Sequence, residues 1–183
     1  MRTEVHVHGA VPMRHGVTQS QIEVALRPWL DYIDEDSLAD ARSAYEDEPG
    51  ISFDSKQRVL EVCWTGDVGR NFREHIETAL QSLNPYTERA AEIEVTYYHE
   101  DGQDEYGVVF VGPTAEAIHE AQRTAMIEDV THLLTRQFGE AEIAQVVAVV
   151  NQLFSRGPAA TGVREPMPSI QATLSPTSRR RLH

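Results

Sequence analysis

Apolar residues recur along the chain with two different periods, and the period assigns the elements. In residues 4 to 11, Val5, Val7 and Val11 alternate with Glu4, His6 and His8, the two-residue period of a strand with one buried face. Pro12 ends that run. Ile51 to Asp54 and Val59 to Thr65 read as a hairpin closed by the polar turn Ser55 to Arg58. Ile93, Val95 and Tyr97 alternate with Glu92, Glu94 and Thr96, and beyond the Asp101-Gly102 turn signal Tyr106 to Val111 complete a second hairpin. Five strands are expected.

Between the strands the spacing changes to three and four. Thr18-Gln19-Ser20-Gln21 has capping-box chemistry, and Ile22, Ala25, Leu26, Trp29, Leu30 and Ile33 follow on one helical face, with Pro28 expected to kink or restart the helix. Ser37-Leu38-Ala39-Asp40 reads as a second cap, opening a short helix to about Tyr45 before Pro49-Gly50 stops it. Gly66-Asp67-Val68-Gly69 reads as a turn into a helix carrying Phe72, Ile76, Ala79, Leu80 and Leu83. After Thr114, one stripe from Ile118 to Phe138 and another from Ile143 to Phe154, separated by Gly139, predict two helices or one kinked helix.

The order β-α-β-β-α-β followed by β-α-α contains the split βαβ arrangement, in which the first strand lies centrally beside the third and fourth. The expected class is therefore α+β: a ferredoxin-like antiparallel sheet of about five strands, with helices 18–45 and 69–84 on one face and a C-terminal helical pair. Residues 1–156 form one domain on this reading. Residues 157–183 hold four Pro and few large apolar side chains, a composition that predicts a tail.

Composition narrows the function classes. At 183 residues, 40% hydrophobic, 25% charged and with mean hydropathy -0.41, the chain has the make-up of a soluble globular protein. No apolar run approaches the ~20 residues of a membrane span, and Met1 to His6 lacks the apolar stretch of a secretory signal, so no membrane association and a cytoplasmic location are expected. Cys63 stands alone, which excludes an internal disulfide and a Cys-rich zinc module.

The net charge of -13 is unevenly spread. Residues 1–155 carry 11 Lys and Arg against 28 Asp and Glu, a balance of -17, whereas residues 156–183 carry five Arg against one Glu. An acidic body disfavours nucleic-acid binding, because neutralising phosphates requires clustered Lys and Arg. A basic partner or a cation is easier to accommodate. Arg179, Arg180 and Arg181, with the apolar Ile170 and Leu174 before them, could dock as an arm on acidic surface or remain a free tail.

Alternation sets the candidate chemistry. If Val5 and Val7 face the helices, His6 and His8 project together from the opposite face, roughly 7 Å apart, a spacing that lets two imidazoles share one metal ion. Glu61 or Cys63 from the third strand and Glu94 from the fourth could complete a mixed set suited to Zn or Fe. The competing reading is a pair of exposed sheet histidines making ion pairs with neighbouring Glu residues. Glu128, His132 and Arg136 share a helical face but match no catalytic spacing, and His75 reads as a boundary residue.

Two functions from different classes follow. The first is a non-enzymatic binding or assembly module, a homodimer joined through residues 114–155 because Val146, Val147, Val149, Val150, Leu153 and Phe154 exceed what one stripe needs, and requiring no cofactor. The alternative is a small enzyme using a divalent metal held by His6 and His8 with Glu61 or Glu94.

Overall fold

The computed structural model of the chain describes residues 3–99 and 102–155. Five strands, β1 (Thr3–Pro12), β2 (Gly50–Asp54), β3 (Val59–Val68), β4 (Ala91–Tyr98) and β5 (Glu105–Val111), make one antiparallel sheet in the order β2-β3-β1-β4-β5. The first strand is central, flanked by β3 and β4, as the order of elements predicts. Helices α1 (Gln19–Ala25), α2 (Arg27–Tyr32) and α3 (Phe72–Ser82) supply the apolar layer that packs with the sheet. A C-terminal pair, α4 (Ala115–Leu134) and α5 (Glu140–Phe154), completes the α+β architecture.

Alternation in β1 explains the layering. Val5, Val7 and Val11 are fully buried, in one core with Leu60, Val62 and Trp64 of β3, Ile93 and Val95 of β4, and Ile22, Trp29, Phe72, Ile76 and Leu80 of the helices. The rings of Trp29 and Trp64 meet edge to face with centroids 5.5 Å apart, and Phe72 lies against both. Such contacts add ~0.5–1.5 kcal/mol each beyond burial. The β1–β4 approach is unusually close at Gly9, where a Cβ would lie 2.6 Å from Ile93 Cδ1 and 2.8 Å from the Glu92 carbonyl oxygen, so only glycine fits.

The first helical region follows its sequence signals. Thr18 caps α1, its hydroxyl accepting from the Gln21 N–H while Gln21 Oε1 accepts from the Thr18 N–H, and Pro28 falls at the start of α2, where a missing N–H costs nothing.

Two expectations change. No helix forms between Ser37 and Tyr45: Ser37 and Asp40 close a single turn, and the chain then leaves helical geometry to serve β3. Beyond Cys63, β3 has no partner on the β2 side, and the loop supplies one, with Ala44 N–H donating to the Thr65 carbonyl at 2.8 Å and Ser43 Oγ accepting from Thr65 N–H at 2.9 Å. Unpaired backbone groups at a buried strand position are more costly than the loss of a short helix. Gly50, at φ 77°, turns the loop into β2 against the Ala41 carbonyl, which a Cβ would meet at 2.5 Å. The second correction is Gly66-Asp67-Val68, which belongs to β3 rather than to a turn, opposite Val5, Glu4 and Thr3.

Thr114 caps α4 through the Ala117 N–H. The two C-terminal helices lean on each other, and α4 also meets β4 and β5. Their apolar residues stay largely outside the core: α4 buries none, and α5 buries only Ile143 and Val150. The expectations for residues 157–183, including the docking of Ile170, Leu174 and Arg179 to Arg181, lie outside the described residues, as does Asp101 of the second hairpin's turn.

Candidate functional site

The sheet face opposite the core carries the residues with chemistry. His6 and His8 project together from β1, their rings nearly parallel at 11° with centroids 6.0 Å apart. In the β1–β3 register His8 stands directly opposite Cys63 and His6 opposite Thr65, and directly opposed residues share a face with Cβ atoms ~4.5–5.5 Å apart. Among the described residues, His6, His8 and Cys63 form a cluster in which one ring nitrogen of each histidine and the Cys63 Sγ all lie within 4.8 Å of one another.

A hydrogen-bonded chain fixes one of the imidazoles. Thr65 Oγ1 lies 2.8 Å from His6 Nδ1 and 3.1 Å from Glu48 Oε1, and Ser43 Oγ donates to the other oxygen of the same carboxylate. Thr65 has one hydroxyl proton and a carboxylate can only accept, so that proton goes to Glu48 and the hydroxyl oxygen accepts from His6 Nδ1–H. Nδ1 therefore carries a proton, and in the neutral tautomer this leaves the lone pair on Nε2. Glu48 Oε1 is also 3.5 Å from His6 Nδ1, and its side chain is only 18% exposed.

Electrostatics shape the cysteine. Burial pushes the Cys63 thiol above its ordinary range, and the negative charges of Glu48 and Asp47 push it in the same direction. A thiol held protonated in this way is not an activated nucleophile at neutral pH. Coordination by a cation reverses that preference, since the metal competes for the same electron pair.

The two carboxylates expected with the histidines are placed differently, Glu94 directly across from His8 and Glu61 one register step away from it. Glu94 of β4 is opposite His8 in register, but Tyr106 of β5 bonds to it. Desolvation, then the carboxylates of Glu94, Glu92 and Asp129, push the Tyr106 hydroxyl up to about 12. Asp129 belongs to α4, so that helix runs beside this face at the β5 edge. Glu61 is exposed on β3 opposite Ala10 and Ser52, one register step beyond Cys63. A shallow depression bordered by His8, Glu92, Glu94 and Arg89 continues the face past the histidines.

Residues 3–155 match the family of unknown function DUF6806. The chain belongs to that family. The DUF6806 match spans α4 and α5 as well as the sheet, so the helical pair is part of the family unit. No curated protein and no solved structure matches the chain.

The remaining candidates have structural employment or none that is chemical. In this DUF6806 chain His75 Nδ1–H donates to the Pro28 carbonyl at 3.2 Å and its ring leans on Tyr32, tying α3 to α2. His119 does the same between the last helices, with Nε2–H donating to the Phe154 carbonyl at 2.9 Å. Glu128 and His132 are exposed along α4, and Arg136, expected on the same helical face, is exposed in the turn beyond the helix end. No helix of the described residues is long and apolar enough to cross a membrane. Sequence reading missed Ser43, Glu48 and Thr65, because Ser43 lies in a segment read as helix and Glu48 just beyond it; the available signal was a threonine at an unpaired strand position beside a histidine strand.

Proposed function

We propose that the protein is a non-enzymatic binding or assembly module that works as a homodimer, its copies joined through residues 114–155. The observation that supports this is the apolar surface left uncovered on both C-terminal helices and their connection: Leu133 is 64% exposed, Leu153 57%, Val149 54%, Met126 and Val146 are also exposed, and so is Phe138 between the helices. At 3.6 residues per turn Ile143, Val147, Val150 and Phe154 share one arc of α5, and Val146, Val149 and Leu153 fall on the adjoining arc. The first arc is the more covered; the second faces outward. Met126 and Leu133, seven apart, align in the same way on α4.

A second copy is the occupant these stripes fit. Two helices with exposed apolar stripes form a self-complementary surface about a twofold axis, and four helices packed in this way bury both stripes at once. The rim is acidic, with six Asp and Glu against two Arg between Ala115 and Ser155, so self-association should strengthen as salt screens the repulsion. The strand order β2-β3-β1-β4 supports placing the body in the ferredoxin-like class with β5 added at its edge. The same reading puts the protein in a reducing, cytoplasmic setting and gives the body no nucleic-acid partner, supported by the single cysteine and the -17 balance of residues 1–155.

Light scattering at micromolar concentration tests the reading. The wild type is expected at twice the 20.5 kDa chain mass, and Leu153→Glu, which places a charge in the apolar contact, at the single-chain mass. A wild type at 20.5 kDa, or a Leu153→Glu variant still at twice that mass, counts against it.

A further inference from the structure

We propose that His6, His8 and Cys63 form a binding site for one divalent transition-metal ion of the zinc class. The site lies on the open face of β1 and β3, away from the helical contact proposed above, so the two proposals stand or fall separately. Three features carry it together: two imidazoles side by side on one strand, a thiol directly opposite one of them on the next strand, and donor atoms already within 4.8 Å of one another. Ligands sharing one zinc ion at bond lengths of ~2.0–2.3 Å sit about 3.5 Å apart, so closure requires roughly 1 Å of side-chain movement and no change of backbone register.

The outer shell points the same way. Metal-bound histidines usually donate their second ring nitrogen to a carboxylate, carbonyl or similar acceptor, which fixes the tautomer and makes the ligating nitrogen more basic. Ligation through Nε2 gives His6 that arrangement, with Nδ1–H donating to Thr65 Oγ1 and Thr65 in turn donating to Glu48, which Ser43 braces. A histidine serving only as an exposed ion-pair partner has no need of a buried threonine relay, and Thr65 is 2% exposed. The loop that seals the edge of β3 is also the loop that delivers Ser43 and Glu48, so fold and site share one device.

The donor set selects the ion. Two imidazoles and a thiolate suit Zn(II) and related borderline-soft ions, whereas Mg(II), Ca(II) and Mn(II) prefer oxygen ligands. With a thiol in place of the carboxylate expected from sequence, the balance moves from iron toward zinc. Binding releases the Cys63 thiol proton to solvent and the sulfur coordinates as thiolate. Exposure of His8 leaves the solvent side open for a water as fourth ligand.

The test uses the tag-free full chain stripped of metal by a chelator, with Co(II) and Zn(II) as probes. One Co(II) per chain with a thiolate-to-cobalt charge-transfer band, displaced by Zn(II), is expected. His8→Ala and Cys63→Ser should each weaken Zn(II) binding by at least about tenfold, Glu48→Gln by about 10- to 100-fold through the outer shell, and Glu61→Gln should leave it unchanged. In the unsubstituted protein, Zn(II) should protect Cys63, the only cysteine, from alkylation, a readout independent of whether any variant folds. Cobalt bound without the charge-transfer band, Cys63→Ser binding zinc as tightly as wild type, or equal alkylation with and without Zn(II) would overturn the proposal.

Discussion

Helices α3 and α5 differ in a way that separates the two halves of the molecule. α3 has four apolar residues, Phe72, Ile76, Ala79 and Leu80, and buries all four; α5 has ten in 15 positions and buries only Ile143 and Val150. Apolar content alone therefore does not decide burial. The four of α3 fall at spacings of four, three and one, a narrow stripe that a sheet and a neighbouring helix can cover completely. Those of α5 spread over an arc wider than α4 can cover, and the uncovered part faces solvent. The sheet body is thus a finished core, while the helical pair leaves much of its apolar surface uncovered. The comparison predicts that substitutions in the body change stability, and that substitutions on the outer arc of α5 change association.

The largest effect should come from Val7→Asp. Val7 is fully buried on the central strand, between Trp64 of β3 and Val95 of β4, and an unpaired carboxylate there should cost ~3 kcal/mol or more. Chemical denaturation measures it, and a loss below about 1 kcal/mol would break the claim that the body is a finished core. An intermediate effect is expected at the loop that seals β3. Ser43→Ala removes the acceptor for Thr65 N–H and a donor to Glu48, with an expected loss of ~1–3 kcal/mol in the same assay. A neutral result would mean that the loop is dispensable to the strand edge. The smallest effect on the isolated chain belongs to Val149→Glu, which should alter stability by no more than ~0.5 kcal/mol under conditions where the protein is monomeric. A large destabilisation there would erase the difference between the regions.

What could be read from the sequence follows the same division. Alternation in β1 and the i, i+3, i+4 spacing of α1 to α3 identified nearly every body element, because those periods are imposed by a single covering layer on one side. The helical pair was legible as helices but not as packing, since a stripe records that something covers it and not what. The loop between α2 and β2 was misread because Ser37 and Asp40 do form a capping turn; the competing demand, the unpaired edge of β3 at Thr65, sits more than 20 residues away in sequence. At the candidate site the side-by-side placement of His6 and His8 required only strand periodicity. The choice of Cys63 over Glu61 depended on cross-strand register, which alternation leaves free by steps of two.

Amide hydrogen exchange on the full chain, measured at several protein concentrations, tests the central claim most directly. Amides of β1 and β3 should exchange slowly at every concentration, because the core that protects them lies within one chain. Amides of α4 and α5 should exchange fast when dilute and slow as concentration rises, because their protection depends on a second copy. Protection of α4 and α5 that is independent of concentration would contradict the account.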